Sequence, residues 1–352
     1  MKKVLIWVLF LLFGTIQMAA ADDVSLTQTY FNHWAKENGV VGAALSVNNK
    51  IYLYGDSDED LALPITEKTP FGIGSITKTF VSVTLLKLEA EGKVNINDPI
   101  TNYLPQYSTL KNITIKSLMQ MTAGFNDVAD DSVPPLQQVD RAYKQYDPAL
   151  AGRWLYSNVS YQLLGILIEK ITQQSLSEVL SKYITSPLHL SSVYFPDETQ
   201  ALPLKEYQNG KVKLSNFKNK YYAAGGLVSN IRDLNAFIYH LLIIKDLLPE
   251  KQYKEMMTFV KTPKKYYAFT GEKEMPKFGL GIFQWNIPPF GNVLTYPGVL
   301  GEGFTSAYTV IDNTVIISQS NTYNNNDFTI LWPCRAFTKG LLKFSHFPTA
   351  AP

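Results

Sequence analysis

Residues 71–80 read FGIGSITKTF and open a segment that is apolar on nearly every side of a helix. We predict a helix from Ser75 to Glu91 that ends at Gly92, because glycine is the common residue just after a helix. Its apolar positions are Ile76, Phe80, Val81, Val83, Leu85, Leu86 and Leu88. A helix that is apolar all round is usually buried on every side. We therefore expect this helix to lie at the centre of the fold.

Ser75 and Lys78 are three positions apart at the start of this helix, so their side chains lie on one face. Burial disfavours a charged lysine, and so does the positive end of a helix. A neutral lysine can take the proton of a serine hydroxyl, which then attacks an acyl carbon. The alternative is structural, because serine often caps helices and a Ser-x-x-Lys spacing is frequent by chance. A lysine one turn into a buried helix favours the catalytic interpretation.

Two further short motifs offer complementary groups. In Tyr156-Ser157-Asn158, the phenol can relay protons and the amide can both donate and accept hydrogen bonds. The alternative is an aromatic loop anchor followed by Asn158 as a helix cap. In Tyr296-Pro297-Gly298, the glycine lets a backbone or a ligand approach closely, and a backbone N–H there can bind an oxyanion. The alternative for this second motif is an ordinary turn.

Composition excludes several other classes of protein. The chain has 352 residues, 46% of them hydrophobic, which is enough for one large domain or two ordinary ones and excludes a largely disordered chain. Its 32 basic and 30 acidic residues leave no excess of positive charge that would favour binding to nucleic acid or to an anionic membrane. The single cysteine, Cys334, excludes an internal disulfide. The four histidines lack metal-ligand spacing, which excludes a zinc hydrolase of the H-E-x-x-H type.

The N-terminus has the pattern of an export signal. Lys2 and Lys3 precede an unbroken apolar run from Val4 to Phe13, and Ala19-Ala20-Ala21 supplies small residues for cleavage. We predict that residues 1–21 are a signal peptide and that the protein is periplasmic or secreted. The alternative is an uncleaved anchor, although the run is shorter than the ~20 apolar residues that span a bilayer.

Strand patterns concentrate at the two ends of the remaining chain. Asn48-Asn49 and Asp312-Asn313 are typical of tight turns, and each lies between two β-rich segments, which predicts two hairpins. The predicted strands are Val41 to Val47, Ile51 to Tyr54, Leu280 to Gln284, Val293 to Tyr296, Ser306 to Ile311 and Val315 to Ser320. Helices between strands that share one sheet indicate an α/β domain with a helical domain.

The middle of the chain is predicted to be helical, with two long loops. Asn158 to Thr172 and Asn230 to Ile244 are helix candidates with polar starts. Asp127 to Pro148 is polar and contains Pro134-Pro135, so we predict a loop there. A second polar stretch, Pro196 to Lys220, is also predicted to be a loop.

The order of the three motifs resembles that of the β-lactamase-related family, which includes class C β-lactamases, D-Ala-D-Ala carboxypeptidases and family esterases. The likeness covers about Val24 to Phe344, and residues 71–80 are similar to the family's nucleophile segment almost letter for letter. Thr122-Ala123-Gly124 also matches, with Ala123 where serine is usual. Further matches lie at Asn97 to Ile100, Tyr103-Leu104-Pro105, Ile113 to Met119, Leu163-Leu164-Gly165, Pro187-Leu188, Ala224 to Leu227 and Asp233-Leu234.

This resemblance implies an α/β fold of the α+β kind, similar to β-lactamases and transpeptidases. An antiparallel sheet of five or more strands would be flanked by helices, with an all-helical domain inserted. One β-lactamase-related domain would cover residues 22–352. Its sheet part would span about 24–70 and 221–345, and its helical part about 71–220. The site would lie where the two parts meet.

The resemblance also implies a role for each motif residue. Ser75 would be the nucleophile, while Lys78 and Tyr156 would share proton transfer, with the identity of the base left open. Asn158 would orient Lys78 and the substrate amide. The backbone N–H groups of Ser75 and of Val299, which follows Gly298, would bind the oxyanion. The family implies no metal or organic cofactor, and neither a nucleic-acid partner nor a stable membrane span after signal cleavage.

Tyr296 is the clearest departure from the family pattern, which has Lys or His at this position. A cation there would pair with the carboxylate of a penicillin or a D-Ala-D-Ala tail, whereas a phenol is neutral near pH 7. We therefore count Tyr296 among the substrate-binding residues, with altered carboxylate recognition. The first functional hypothesis is an exported hydrolase of D-Ala-D-Ala peptides or β-lactams. The second is an esterase, which Tyr296 favours, and the third is a penicillin-binding or peptidoglycan-sensing module with little turnover.

Cleavage of the predicted signal peptide can be tested directly. When the full chain is expressed with its leader in a bacterial host, N-terminal sequencing of the exported product should begin at Asp22, because Ala19-Ala20-Ala21 supplies the cleavage site. A soluble cytosolic product that keeps Met1 would contradict this prediction.

Overall fold

A computed structural model describes residues 26–126, 133–196, 204–213, 221–263, 276–287, 290–301 and 303–323. The predicted signal peptide and Cys334 lie outside these ranges. The α-helices of the described part are α1 (26–37), α2 (Thr77–Ala90), α3 (Ile115–Met119), α4 (Pro135–Lys144), α5 (Asn158–Thr172), α6 (Leu176–Leu180), α7 (Ile231–Tyr239) and α8 (Glu250–Met256). Short 3₁₀ turns and two π-helical turns, at Ser181–Thr185 and His240–Ile244, connect or extend them.

The longer strands come from both ends of the described chain, as predicted, and short strands lie between them. They are β1 (Gly42–Val47), β2 (Lys50–Asp58), β3 (Leu63–Pro64), β4 (Phe71–Gly72), β5 (Glu206–Gln208), β6 (Lys211–Lys213), β7 (Val228–Ser229), β8 (Val260–Lys261), β9 (Lys277–Phe278), β10 (Phe283–Ile287), β11 (Gly291–Leu300), β12 (Phe304–Ile311), β13 (Thr314–Ser320) and β14 (Thr322–Tyr323). Among the described residues, nine strands form one antiparallel sheet in the order β3-β2-β1-β13-β12-β11-β10-β9-β8. The predicted fold class is confirmed.

The sheet has helices on both faces because side chains alternate along each strand. On β1, Ala43 and Leu45 pack with Phe31 of α1 in a smaller core. Ala44 points the other way, into the larger core that contains α2 and α5. Each strand of the sheet centre is therefore apolar on both sides, and the sheet is a middle layer.

Both predicted hairpins form, and the turn residues explain why. Asn48 and Asn49 have φ of 46° and 67° between β1 and β2, a left-handed conformation that asparagine tolerates. Asp312 has a φ of 51° between β12 and β13. Val47 and Lys50 are register partners across the first turn, which is therefore the two-residue loop predicted from sequence.

Helix α2 begins after a single 3₁₀ turn at Gly74–Ile76 and is buried along almost its whole length. Gly92 follows it with a φ of 70°, as expected of a residue just beyond a helix end. Helix α5 has the predicted bounds, and α7 with its π-helical extension covers the third predicted helix.

Two loop predictions were wrong where the structure describes them. Residues 135–144 of the predicted 127–148 loop form α4, because Pro135 takes the first helical position, where a missing N–H costs nothing. Within the predicted 196–220 loop, β5 and β6 form a hairpin around Asn209-Gly210, whose φ values are 50° and 71°. Residues 127–132, 197–203 and 214–220 lie outside the described ranges.

One strand was placed three residues too early. The prediction of Leu280 to Gln284 is wrong because Gly281, with a φ of 74°, lies in a turn closed by Gly279 N–H donating to Ile282 O at 2.8 Å. The strand β10 begins only at Phe283. In the part of the chain that the structure describes, no helix combines the length and apolar character needed to cross a bilayer.

Helix α8 packs against the C-terminal half of α2 through two carboxyl groups. Glu89 is buried and accepts a hydrogen bond from Gln252 Nε2 at 3.3 Å. Burial, and then the neighbouring Glu89 carboxylate, raise the pKa of the Glu255 carboxyl. Two adjacent carboxylates are costly to ionise together, so the folded protein holds a proton here more tightly than the unfolded chain.

We predict that Glu255→Gln stabilises the protein at pH 8 but not at pH 4. Because the folded pKa of Glu255 is raised, its favourable contribution exists at low pH and is lost as the pH rises through the folded pKa. Thermal unfolding should show a Tm increase of about 1–3 °C at pH 8. The matched control is Glu250→Gln on the same helix, an exposed residue paired with Lys254 at 2.6 Å. Equal Tm changes for Glu255→Gln at both pH values would contradict the prediction.

Candidate active site

Ser75 lies in the 3₁₀ turn between β4 and α2, where two glycines let two backbones touch. Gly74 has a φ of 50°, and a Cβ there would lie 2.5 Å from the backbone N and C of Val299. A Cβ on Gly298 would lie 3.0 Å from Ser75 N and would collide with Ile73 O. Strand β11 therefore runs directly against the turn that carries the half-buried Ser75.

Lys78 lies one helical turn after Ser75 and is fully buried. Its Nζ donates to Ser75 Oγ at 3.0 Å, to Asn158 Oδ1 at 2.8 Å and to Ala224 O at 2.6 Å. These three acceptors match the three N–H bonds of an ammonium group. The burial of this charge is thereby compensated by hydrogen bonds from three segments of the chain.

Tyr156 and Asn158 approach the same point from the start of α5. The Tyr156 hydroxyl donates to Ser75 Oγ at 2.7 Å, and the Lys78 Nζ lies 5.0 Å from the centre of its ring. Ser157 caps α5 by accepting from Ser160 N at 3.1 Å. Asn158 is therefore the first helical residue and not the cap, and its side chain contacts Lys78 instead.

The structure brings Ser75, Lys78, Tyr156 and Asn158 together, with Gly298 and Val299 alongside. Val299 is 37% exposed, so the surface beside Ser75 is open to solvent at this strand. The backbones of Val299 and Ser75 are adjacent, and the oxyanion role of their N–H groups stays a prediction.

Tyr296 lies deeper than the other predicted site residues. Its side chain is fully buried, with its ring edge-on to those of Phe283 and Phe278 at centroid distances of 5.1 and 5.9 Å. Its hydroxyl is buried and lies near the side chain of Tyr156. Burial, and then the nearby Tyr156 and Tyr161, raise the pKa of the Tyr296 phenol well above its usual value. Tyr296 is thus neutral, and direct contact between it and a substrate stays a prediction.

Sequence reasoning missed two groups that face Lys78. One is the carbonyl of Ala224, which no residue type signals because every residue has one. The other is Tyr161, whose ring centre is 5.7 Å from Lys78 Nζ. Tyr161 is three residues after Asn158 on α5, so the helical spacing alone could have placed it on the same face.

The arrangement can move a proton away from a serine hydroxyl. Ser75 Oγ is in hydrogen-bond contact with both an amine and a phenol, and either can accept its proton when deprotonated. The nucleophile and a base lie within reach of each other, and Asn158 in turn orients Lys78, which is the geometry of an activated nucleophile. Among the described side chains, no group of three or more His, Cys, Asp or Glu is arranged to hold a metal ion.

The fold and the site together define a serine hydrolase. The family model described as Beta-lactamase matches residues 27–329, and the chain belongs to this family. The teichoic acid D-alanine hydrolase of Staphylococcus aureus (strain MW2) is 30% identical over 306 residues, which are 83% of this chain and 72% of that protein. Protein flp of Staphylococcus aureus (strain COL) is 29% identical over 222 residues, 58% of this chain and 41% of that protein.

Solved structures share the fold at lower identity. A D-stereospecific amidohydrolase from Streptomyces sp. is 24% identical with a TM-score of 0.72, covering 88% of this chain and 97% of the other. The D-amino acid amidase of Ochrobactrum anthropi SV3, complexed with D-phenylalanine, is 21% identical with a TM-score of 0.77, covering 91% and 98%. These likenesses confirm the architecture.

We predict that Ser75→Ala abolishes covalent labelling by a fluorophosphonate probe, because Ser75 Oγ is the hydroxyl that both Lys78 and Tyr156 contact. Lys78→Ala should slow labelling by about 10²–10⁴-fold, the range typical of general acid–base assistance. Labelling rates of the purified full chain, followed by gel fluorescence, measure both effects.

Ser82→Ala is the matched control for these variants. Ser82 is a fully buried serine on the same helix, and its Oγ contacts Tyr161 OH at 3.2 Å rather than Ser75. This variant should keep its labelling. Fast labelling of Ser75→Ala would show that the nucleophile is another residue.

Proposed function

We propose that this protein is an exported serine hydrolase that forms an acyl-enzyme at Ser75 and acts on D-alanyl esters or closely related D-aminoacyl esters and amides. The observation that carries the proposal is Tyr296, a neutral and buried phenol, where the family resemblance leads one to expect Lys or His in most members. The names of the relatives, a teichoic acid D-alanine hydrolase and a D-amino acid amidase, support the same acyl group.

Carboxylate recognition separates the substrate classes predicted from the sequence. A D-Ala-D-Ala peptide carries a carboxylate on its leaving group, and a penicillin carries one beside its reactive ring. An ester of D-alanine with an alcohol has no such carboxylate. A neutral Tyr296 cannot form the ion pair that favours the first two substrate classes. Hydrolysis of the neutral ester is therefore the reaction that a tyrosine at this position weakens least. Esterase chemistry on this scaffold is therefore the hypothesis that the site supports best.

In acylation, Ser75 Oγ attacks the ester carbonyl carbon while its proton passes to whichever of Lys78 and Tyr156 is deprotonated in the reactive form. The carbonyl oxygen gains negative charge, and the backbone N–H groups of Ser75 and Val299 would stabilise it. The tetrahedral intermediate then collapses with cleavage of the bond to the leaving alcohol. That alcohol oxygen takes up the proton, and D-alanine is left esterified to Ser75.

Deacylation reverses these roles with water as the nucleophile. The same pair accepts a proton from water, which attacks the ester carbon of the acyl-enzyme. The bond to Ser75 Oγ breaks, the serine recovers its proton, and free D-alanine leaves. Val299 is partly exposed beside Ser75, which supports an approach of water and substrate from this side.

A panel of substrates tests the proposal. The full chain should hydrolyse a D-alanyl nitrophenyl ester faster than the L-alanyl ester, and should act weakly on a D-Ala-D-Ala peptide and on a chromogenic cephalosporin. Released nitrophenol, D-alanine and opened cephalosporin are measured as kcat/KM. Efficient turnover of the cephalosporin or the peptide with little ester hydrolysis would contradict the proposal. Stable labelling by a fluorescent penicillin without turnover would instead support the penicillin-binding hypothesis.

We predict that Tyr296→His raises kcat/KM for carboxylate-bearing substrates relative to the neutral D-alanyl ester by about 10–100-fold. The reason is that a charge-assisted hydrogen bond contributes roughly 1.5–3 kcal/mol, or one to two powers of ten in rate. The ratio of the two kcat/KM values is measured at a pH at which the imidazole is protonated.

Tyr296→Phe is the matched control because it keeps the ring that packs on Phe278 and Phe283 but adds no charge. Its ratio of kcat/KM values should stay near that of the unmodified protein. A flat ratio in a well-folded Tyr296→His variant would mean that this position does not determine selectivity.

A further inference from the structure

The backbone at Tyr222 adopts a conformation that a bulky residue rarely takes. Tyr222 has a φ of 40°, in the left-handed region that favours glycine. It opens the 3₁₀ turn Tyr222–Ala224, whose last residue presents its carbonyl to Lys78 Nζ at 2.6 Å. Residues held in such conformations persist when their surroundings over-determine them, and they concentrate at functional sites.

The Tyr222 ring is fixed by two neighbours. On α5, a Cβ at Gly165 would lie 2.5 Å from Tyr222 Cε1 and 2.5 Å from Ala223 Cβ, so the ring lies directly on the helix backbone. On another side the ring stacks with Phe195 at a centroid distance of 6.1 Å and an angle of 28°. The hydroxyl is enclosed near Glu169, and burial followed by this carboxylate raises the pKa of the Tyr222 phenol.

The Tyr222 carbonyl closes the turn that orients Ala224. It accepts hydrogen bonds from Gly225 N at 3.2 Å and Gly226 N at 2.8 Å. Gly225 in turn lies against the nucleophile turn, since a Cβ there would be 3.5 Å from the backbone carbon of Gly74. A displacement of the Tyr222 ring would therefore also move the turn and the Ala224 carbonyl.

We propose that Tyr222 is a positioning residue, whose ring, wedged between Gly165 and Phe195, holds its backbone in the left-handed conformation and thereby presses the Ala224 carbonyl against Lys78. Glycine would adopt this φ without strain, so the presence of tyrosine indicates a requirement for the ring. The inference rests on the acyl-enzyme chemistry proposed for Ser75, but not on the identity of the acyl group.

The test measures fluorophosphonate labelling of Ser75 in the full chain as a function of pH. Tyr222→Gly removes the ring but allows the positive φ, and Gly165→Ala keeps the tyrosine but displaces it. Both variants should label about 10–100-fold more slowly, as expected for a lost hydrogen bond to a charged group. The acidic limb of their pH profiles should move to lower pH, because the protonated Lys78 loses an acceptor. Tyr222→Phe, which keeps the ring, should show the labelling rate and the pH profile of the parent protein.

Gly42→Ala is the control for overpacking elsewhere in the fold, because a Cβ there would collide with the backbone O of Asp56 on β2 and would lie 2.9 Å from the Ile65 side chain. It should lower thermal stability without moving the pH profile. If the parent protein is labelled but the folded Tyr222→Gly and Gly165→Ala variants show unchanged labelling profiles, this inference is overturned and the proposed function stands. Failure of the parent protein to label at all would overturn the proposed function, and this inference with it.

Discussion

The buried ammonium group of Lys78 is the interaction on which the rest of the site depends. Its three acceptors come from the 3₁₀ turn before α2, from the start of α5 and from the turn before β7, so the charge can be buried only when all three segments are in place. An unpaired charge in this position would be costly, whereas a fully hydrogen-bonded one is tolerated. The apolar environment of α2 and the glycines at 74 and 298 serve the same requirement, because they let the elements around Lys78 approach closely.

Much of the fold could be predicted because local chemistry and tertiary structure agree. The apolar pattern of α2, the polar start of α5 and the Asn48-Asn49 turn each specify their own conformation. The errors arose where one residue type is compatible with two kinds of local structure. Pro135 was interpreted as a breaker although proline also begins helices, and Gly281 was overlooked inside an apolar run. The pairing of β1 with β13 has no local signal, and the family resemblance implied only that strands from the two ends of the chain share one sheet.

The candidate site was predictable where side chains carry the chemistry and unpredictable where the backbone does. The spacing of Ser75 and Lys78 and the Tyr156 motif could be found from residue types, and the structure brings these groups into contact. The Ala224 carbonyl and the strained Tyr222 could not, since a carbonyl is common to all residues and a positive φ is not expected of tyrosine. The full burial of Tyr296 also depends on distant aromatic neighbours, Phe278 and Phe283, and not on its own motif.

The pairing of β1 with β13 has a consequence for the newly made chain. Val47 and Ile316 are register partners, so the middle of the sheet lacks a strand until β13 has been made. At about 5–20 residues per second, the ribosome needs roughly 15–50 s to make the intervening chain. Throughout that interval β1 and β2 present an unpaired edge, a template for association with other chains. The sheet cannot close before β13 has been made, so the chain stays incompletely folded over most of its described length, a state compatible with the proposed export.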